Sequence, residues 1–454
     1  MIDTGAIEVT VCAKSGRAAL SLTNTRTDAA ARLIAAPANR TKARRLFTML
    51  YGLCPVAHLS CFDAAKLSAS GTNEAVRRAA DGGFVEAAML LEGLVESLRV
   101  LLLEASRLMG LRLEPEDARA LGALRTGVAT LAEHILAMNP FAYENRTPEG
   151  GIVFSARRLE AAKETARSVE AGARVLAVKR LFGMEPVEAL ERLTSESALA
   201  GWAASASLAP TASPAAALLA RYLKRGADFS DMESPMLFAR EKKQSESFAD
   251  ELLHRMLHEP GFALAPFWEG SPRLTGAASR MRTHPLVKEM CRQRGLSPST
   301  LLAARILETA IGLELVRRYC WPEKAAAIEI PSSEAFEPLP ASILWTYSPE
   351  PGVALALAET ARGLLAHALR LGPDGGIAEL KITSPTEWQF APYGPGQRML
   401  LALSRSLSLK EPKTAEEREE ISQAVRETLF GLDACVPIEL RFGCAAERKA
   451  QTAY

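Results

Sequence analysis

Leu50-Tyr51-Gly52-Leu53-Cys54-Pro55-Val56-Ala57-His58 is the stretch on which the reading of this 454-residue chain turns. It sets a cysteine directly before a proline, with a histidine four residues on, in a region whose pattern is helical from Thr41 onward. A second stretch near the other end, Leu432-Asp433-Ala434-Cys435-Val436-Pro437-Ile438-Glu439-Leu440-Arg441, again places a cysteine close to a proline, with an aspartate just before it. Thiolates are soft ligands suited to nickel and iron, and a neighbouring donor or cation lowers their pKa. Taken singly, each cysteine reads as a small packed hydrophobe. They stand almost the full chain apart, so nothing local makes them neighbours.

Composition narrows the classes of function. A hydrophobic fraction of 48% with 24% charged residues is that of a soluble globular protein with a large core. Fifty-four basic residues against 53 acidic ones leave a net charge of +1, which argues against a nucleic-acid partner or an anionic membrane surface. Met1 to Gly5 has no basic or apolar leader character, and the apolar run from Gly352 to Ala358 is stopped by Glu359, so no membrane insertion is expected. Seven cysteines without framework spacing fit free thiols, and a cytoplasmic location is expected.

Periodicity predicts a mainly α, α+β chain: a long helical bundle with small β elements near both ends. The expected units are an N-terminal β element over 1–40, a helical core over 41–325, and a β-hairpin with C-terminal helices over 326–441. A tail over 442–454 follows, and all belong to one unit. Ile7 to Val11 and Ala18 to Leu22 read as a hairpin. Helices are expected over Asn73–Met109, Pro115–Met138, Arg157–Leu181, Pro214–Lys224, Phe248–His258, Ala277–Arg294, Ser297–Tyr319, Gly396–Ser408 and Ala415–Phe430. Strands are expected over Ala326–Ile330, Val353–Leu357, Leu364–Leu371 and Ile377–Ile382, the last two joined at Pro373-Asp374-Gly375-Gly376. Ala203–Pro214 and Phe229–Ser247 read as connections.

The two cysteine stretches resemble the RxCGxCPxAH and DPCxxCxxH elements of nickel–iron hydrogenase large subunits. Cys54-Pro55-Val56-Ala57-His58 fits CPxAH throughout, Gly52 falls at the glycine, Met49 stands at the arginine, and Asp433 matches the aspartate. Glu359-Thr360-Ala361-Arg362-Gly363-Leu364-Leu365-Ala366-His367 resembles the family's EAPRGxLxH, in which the arginine lies over the active site and the histidine supports it. Ser384-Pro385-Thr386-Glu387-Trp388-Gln389 resembles its PTTWN element, and Gly276-Ala277-Ala278-Ser279-Arg280 its GPLAR element. These segments occur in family order from Gly5 to Arg441.

The departures carry as much meaning. Tyr51 and Ile438 stand where the other two cysteines of the family belong, so a site of four thiolates is reduced to two. By position, Cys54 corresponds to a bridging cysteine and Cys435 to a terminal nickel ligand, so stable nickel binding is not expected. Thr4 precedes Gly5 where a proton-relay glutamate would stand, and a hydroxyl cannot replace a carboxylate as proton acceptor near neutral pH. Arg441 replaces the histidine at which the family's extension is cleaved, so Phe442 to Tyr454 is expected to stay attached.

This pattern resembles the accessory branch of the family, the hydrogenase expression/formation proteins of HupK/HoxV type. The resemblance implies a non-catalytic maturation scaffold that transiently holds an Fe(CN)2CO fragment through Cys54 and Cys435. Arg362 would hold the cyanides, and His58 and Asp433 would orient the cysteines. Its partners would be hydrogenase maturation proteins and the apo large subunit. Two other readings remain open: a divergent hydrogenase subunit completed by Tyr51 or Cys61, and a metal-free docking protein. Cys61, two helical turns after Cys54, is a possible auxiliary ligand. His254 and His258 lack a third ligand. Cys12, Cys291, Cys320 and Cys444 read as packed or idle. Gly394-Pro395-Gly396 is too short for a phosphate loop, and Glu416 to Glu420 reads as a solvated helix face.

Overall fold

The two ends of the chain meet in one small sheet, and the helical body is strung between them. The structure, a computed structural model, describes residues 5–14, 17–72, 74–148, 151–208, 212–224, 245–320, 343–406 and 412–443. Thr4, Cys444, the expected strand Ala326–Ile330 and most of the Phe229–Ser247 segment lie outside them.

Strand β1 (Ile7–Lys14) pairs antiparallel with β2 (Arg17–Asn24), as the alternation predicts. Helices α1 (Ala29–Ala35) and α2 (Ala43–Leu50) follow, and a turn at Tyr51–Cys54 starts α3 (Pro55–Ala69) with its proline in the first turn. From Pro55 to Ala65 every residue of α3 is buried, as for a helix apolar on all sides.

The single helix expected over Asn73–Met109 is broken. Helix α4 (Glu74–Asp81) stops at Gly82 and Gly83, both at positive φ. Glycine adopts that conformation without a Cβ clash, so the pair ends a helix whose apolar spacing runs straight through it. Helix α5 (Phe84–Leu98) then continues through a π-helical stretch at Arg99–Glu104 into α6 (Ala105–Met109). Helices α7 (Pro115–Ala137) and α8 (Ala156–Ala177) match expectation. Helices α9 (Pro186–Arg192) and α10 (Glu196–Leu208) were not anticipated. The latter takes over half of the supposed Ala203–Pro214 connection, because alanine and serine tolerate a helix there.

Helices α11 (Pro214–Lys224) and α12 (Ser245–His258) lead to a second correction. The one helix expected over Ala277–Arg294 is two, α13 (Ala277–Arg280) and α14 (Pro285–Arg294), since proline cannot continue a helix but suits its first turn. Helix α15 (Pro298–Cys320) begins at the expected N-cap, with Thr300 N–H donating to Ser297 Oγ at 3.3 Å. It is buried along most of its length.

A four-stranded antiparallel meander follows: β3 (Leu344–Glu350), β4 (Val353–Thr360), β5 (Gly363–Leu371) and β6 (Ile377–Thr383). Helix α3 packs against its first three strands. The short α16 (Pro385–Gln389) opens with a capping box between Ser384 and Glu387. After α17 (Pro395–Ser406) and α18 (Ala415–Leu429), the last strand, β7 (Ile438–Phe442), pairs in parallel with β1, placing Ile438 opposite Ile7 and Leu440 opposite Val9. The result is the mainly α, α+β architecture expected. Among the described residues no helix is long and apolar enough to cross a membrane.

Candidate metal centre

Cys54 sits at the N-cap position of α3. Its N–H donates to Tyr51 O at 2.9 Å, and its carbonyl accepts from His58 N–H at 3.2 Å. The free N–H groups of the first turn need an acceptor. Glu92 of α5 supplies it, taking Val56 N–H at 2.7 Å and Ala57 N–H at 2.9 Å with its two carboxylate oxygens. Burial raises the Glu92 carboxyl to about 8, against the pull of those two amides. Burial, followed by the Glu92 charge, pushes the Cys54 thiol well above its ordinary value, and Arg362 only partly offsets this. Neighbouring donors would lower the thiol; burial, with the carboxylates behind the helix start adding to it, raises it instead.

Behind Cys54 lies an aromatic and imidazole stack. The Tyr51 ring lies 3.7 Å from that of His58, centroid to centroid, and Phe47 stacks on His58 and on His367. His58 Nδ1 and His367 Nε2 are 3.1 Å apart, one donating to the other. Burial lowers both rings, His367 to about 3, so both are neutral near pH 7. Beside Gly52, Leu53 and Pro55 runs a cavity of about 370 Å³, with Glu92 and Glu96 on one wall and α7 on the other.

Cys435 lies three residues before β7, so the parallel pairing with β1 sets it beside the N-terminal strands. Thr386 holds it twice: the Thr386 hydroxyl donates to Cys435 Sγ at 3.0 Å and accepts Cys435 N–H at 3.2 Å. Arg26, just past β2, donates from Nη1 to the same sulfur at 3.2 Å. Two residues upstream, Asp433 adopts a left-handed conformation, which aspartate tolerates better than most residues. Its carboxylate is 3.0 Å from Arg305, 3.4 Å from Arg362 and 3.9 Å from Arg99. Burial alone would raise that carboxyl; the three guanidiniums, Arg362 foremost, hold it below its ordinary value.

Arg362 occupies the tight turn between β4 and β5 and is 4% exposed. It pairs with Glu96 and Asp433, and it feels the charge of both Cys54 and Cys435. Its buried Nε faces the Asp433 carboxylate at 3.4 Å. Gly363 has no room for a side chain, because a Cβ there would lie 2.9 Å from Gly276 N. Gln389 Nε2 donates to Arg362 O at 3.3 Å, and Arg280 pairs with Glu308 and Glu359. The segments that resemble GPLAR, EAPRGxLxH and PTTWN therefore pack on one another.

All five residues singled out from the sequence fall in one region. Cys54, Cys435 and Asp433 lie within electrostatic reach of Arg362, and His58 feels both Arg26 and Arg362. Among the described residues, neither His58 nor Asp433 hydrogen-bonds to a cysteine sulfur. His58 faces His367 and Tyr51, while three guanidiniums compete for Asp433. Both cysteines are half-buried rather than enclosed. Cys61 packs in the core, with its sulfur 3.4 Å from Ala356 O. Ile438 brings no donor, being a β7 residue opposite Ile7.

The sequence reading missed Arg26, Glu92 and Glu96, and gave no role to Thr386 or Glu387. The last two lie within a quoted motif; the first three carry no local signal. Among the described residues no group of three or more His, Cys, Asp or Glu is placed to hold a metal ion. Cys54 and Cys435 are the thiols of this region, with Tyr51 and Ile438 at the other two positions that the resemblance marks.

No protein-family model matches the chain. Sequence comparison finds similarity to the hydrogenase expression/formation protein HupK of Rhizobium leguminosarum bv. viciae, 27% identical over 220 residues, which is 48% of this chain and 51% of that protein. The HupK of Azotobacter vinelandii is 31% identical over 90 residues, 20% of this chain and 23% of that protein. The hydrogenase expression/formation protein HoxV of Cupriavidus necator is 35% identical over 95 residues, 20% of this chain and 22% of that protein. The matches thus span about half the length of the first relative and under a quarter of the others. In three dimensions the chain resembles an NAD+-reducing [NiFe]-hydrogenase in its H2-reduced state. The TM-score is 0.50 at 14% identity, over 93% of this chain and 94% of that one. The fold is that of a nickel–iron hydrogenase large subunit, and the sequence is similar to the expression/formation proteins.

Proposed function

We propose that this chain acts in hydrogenase expression and formation as a non-catalytic, cytoplasmic scaffold. It holds an Fe(CN)2CO fragment through Cys54 and Cys435 and passes it to the apo large subunit, in company with other maturation proteins. One observation carries the reading. Cys54 and Cys435, from opposite ends of the chain, sit within electrostatic reach of each other beneath Arg362, while Tyr51 and Ile438 stand at the other two thiolate positions.

The chain's residues divide the work. Cys54 and Cys435 supply two soft donors to an iron whose remaining ligands travel with it. Arg362, always charged and close to both cysteines, would offer guanidinium donors to a cyanide nitrogen. Glu96 and Asp433 hold that guanidinium in place. Two thiolates rather than four suit a carrier, because a cargo must also leave.

The test is complementation in cells lacking the gene for this chain, read as maturation of the hydrogenase large subunit. Cys435→Ala, and the double variant with Cys54→Ala, are expected to stop maturation while the variant protein accumulates normally. Intact maturation with the double variant would overturn the cargo reading in favour of a metal-free docking protein.

A further inference from the structure

Arg26 is the feature of the site that the scaffold reading leaves without a task. Its side chain is 16% exposed, and all three guanidinium nitrogens are engaged: Nη1 with Cys435 Sγ at 3.2 Å, Nη2 with Ser384 Oγ at 3.5 Å, and Nε with the Glu387 carboxylate. Glu387 is 2% exposed and fixed in turn by Ser384 N–H at 3.0 Å and by the Ser384 hydroxyl. The backbone that carries Arg26 is clamped as well. Thr25 and Ala6 exchange hydrogen bonds, and a Cβ on Gly5, at φ 69°, would lie 2.7 Å from the Arg26 backbone. The guanidinium is thus a fixed charge, bounded by Tyr51, Glu387 and Cys435, the groups whose charges act on it.

Two of these neighbours stand at positions where the resemblance puts nickel thiolates. A guanidinium carries positive charge and donors but offers no lone pair, so it can satisfy an anionic sulfur yet cannot share it with a metal as a ligand would.

We propose that the Arg26 guanidinium, locked by Glu387 and Ser384, stands in for the second metal of the site and makes it selective for one iron cargo against divalent nickel. Arg26 is a specificity-determining residue in this scheme. A nickel ion at Cys435 would have to displace it, leaving the buried Glu387 carboxylate unpaired. The inference rests on the scaffold reading for its cargo, but its test needs no cargo.

The full chain, purified anaerobically, is dialysed against nickel(II), and bound metal is assayed together with thiolate-to-nickel charge-transfer absorption. Wild type is expected to hold no stoichiometric nickel. Arg26→Met should bind nickel at least about tenfold more tightly, a conservative figure for removing an adjacent unit charge, and the absorption band should vanish when Cys435→Ala is added. Arg26→Met paired with Glu387→Gln, which leaves no unpaired charge, should show the same gain if the single variant folds poorly. Arg26→Lys should keep nickel out. Folded variants that bind no more nickel than wild type would overturn the inference, as would wild type that already binds it. Infrared bands of cyanide and carbonyl in wild type report separately on the cargo. Nickel gain without those bands would sink the scaffold alone, and bands without nickel gain would sink Arg26's role alone.

Discussion

Cys54 and Cys435 are two cysteines brought to one region of the fold and held in opposite surroundings. Cys54 begins a buried helix with two carboxylates, Glu92 and Glu96, among the charges acting on it, and its thiol is pushed well up. Cys435 lies in a turn between a 3₁₀ segment and an edge strand, with a cation and a hydroxyl donating to its sulfur. One side is built from helix packing; the other is built from side chains that converge from the segment after β2, from α16 and from the C-terminal segment. The difference teaches that the two thiols are not interchangeable: one is anchored by the core, and the other is held by donors from distant segments.

Substitutions on the two sides sharpen that contrast. The largest effect is expected at Glu92. Glu92→Ala leaves two N–H groups of the α3 first turn without their acceptor, costing about 2 kcal/mol, while Glu92→Gln, which keeps an acceptor oxygen, should cost less than half of that. Denaturant unfolding measures both, and equal stability of Glu92→Ala and wild type would show that the anchor is unnecessary. A smaller effect is expected on the other side. Thr386→Val conserves shape but removes the hydroxyl that bonds both Cys435 Sγ and its N–H, for a loss of about 1 kcal/mol. If Thr386→Val proved more damaging than Glu92→Ala, the assignment of the anchored side would be reversed.

The same contrast governs what was legible in the sequence. The Cys54 side is local: Cys54, Pro55 and His58 share one helix start, and the motif announces them together. The Cys435 side depends on β7 pairing with β1, a contact across nearly the whole chain that no period or turn signal encodes. Arg26 follows a short strand in a run of polar residues and looks like any solvated arginine until Glu387 and Cys435 are folded onto it. Gly82 and Gly83 hid in an apolar spacing that ran on across them, and Pro285 hid inside a helical pattern in the same way. By contrast, Arg362 and Asp433 could be read, because their segments keep the order and composition of a known site even where its cysteines are gone.

The most direct test of the central claim, that the two thiols act as one site for an iron cargo, is infrared spectroscopy of the anaerobically purified protein in the cyanide and carbonyl stretching region. Iron and nickel are assayed in the same sample, with the maturation machinery present during expression. The expected result is bands that accompany iron without nickel and that are lost in Cys54→Ala and in Cys435→Ala alike. Bands that survive either substitution, or that appear only with nickel, would contradict it.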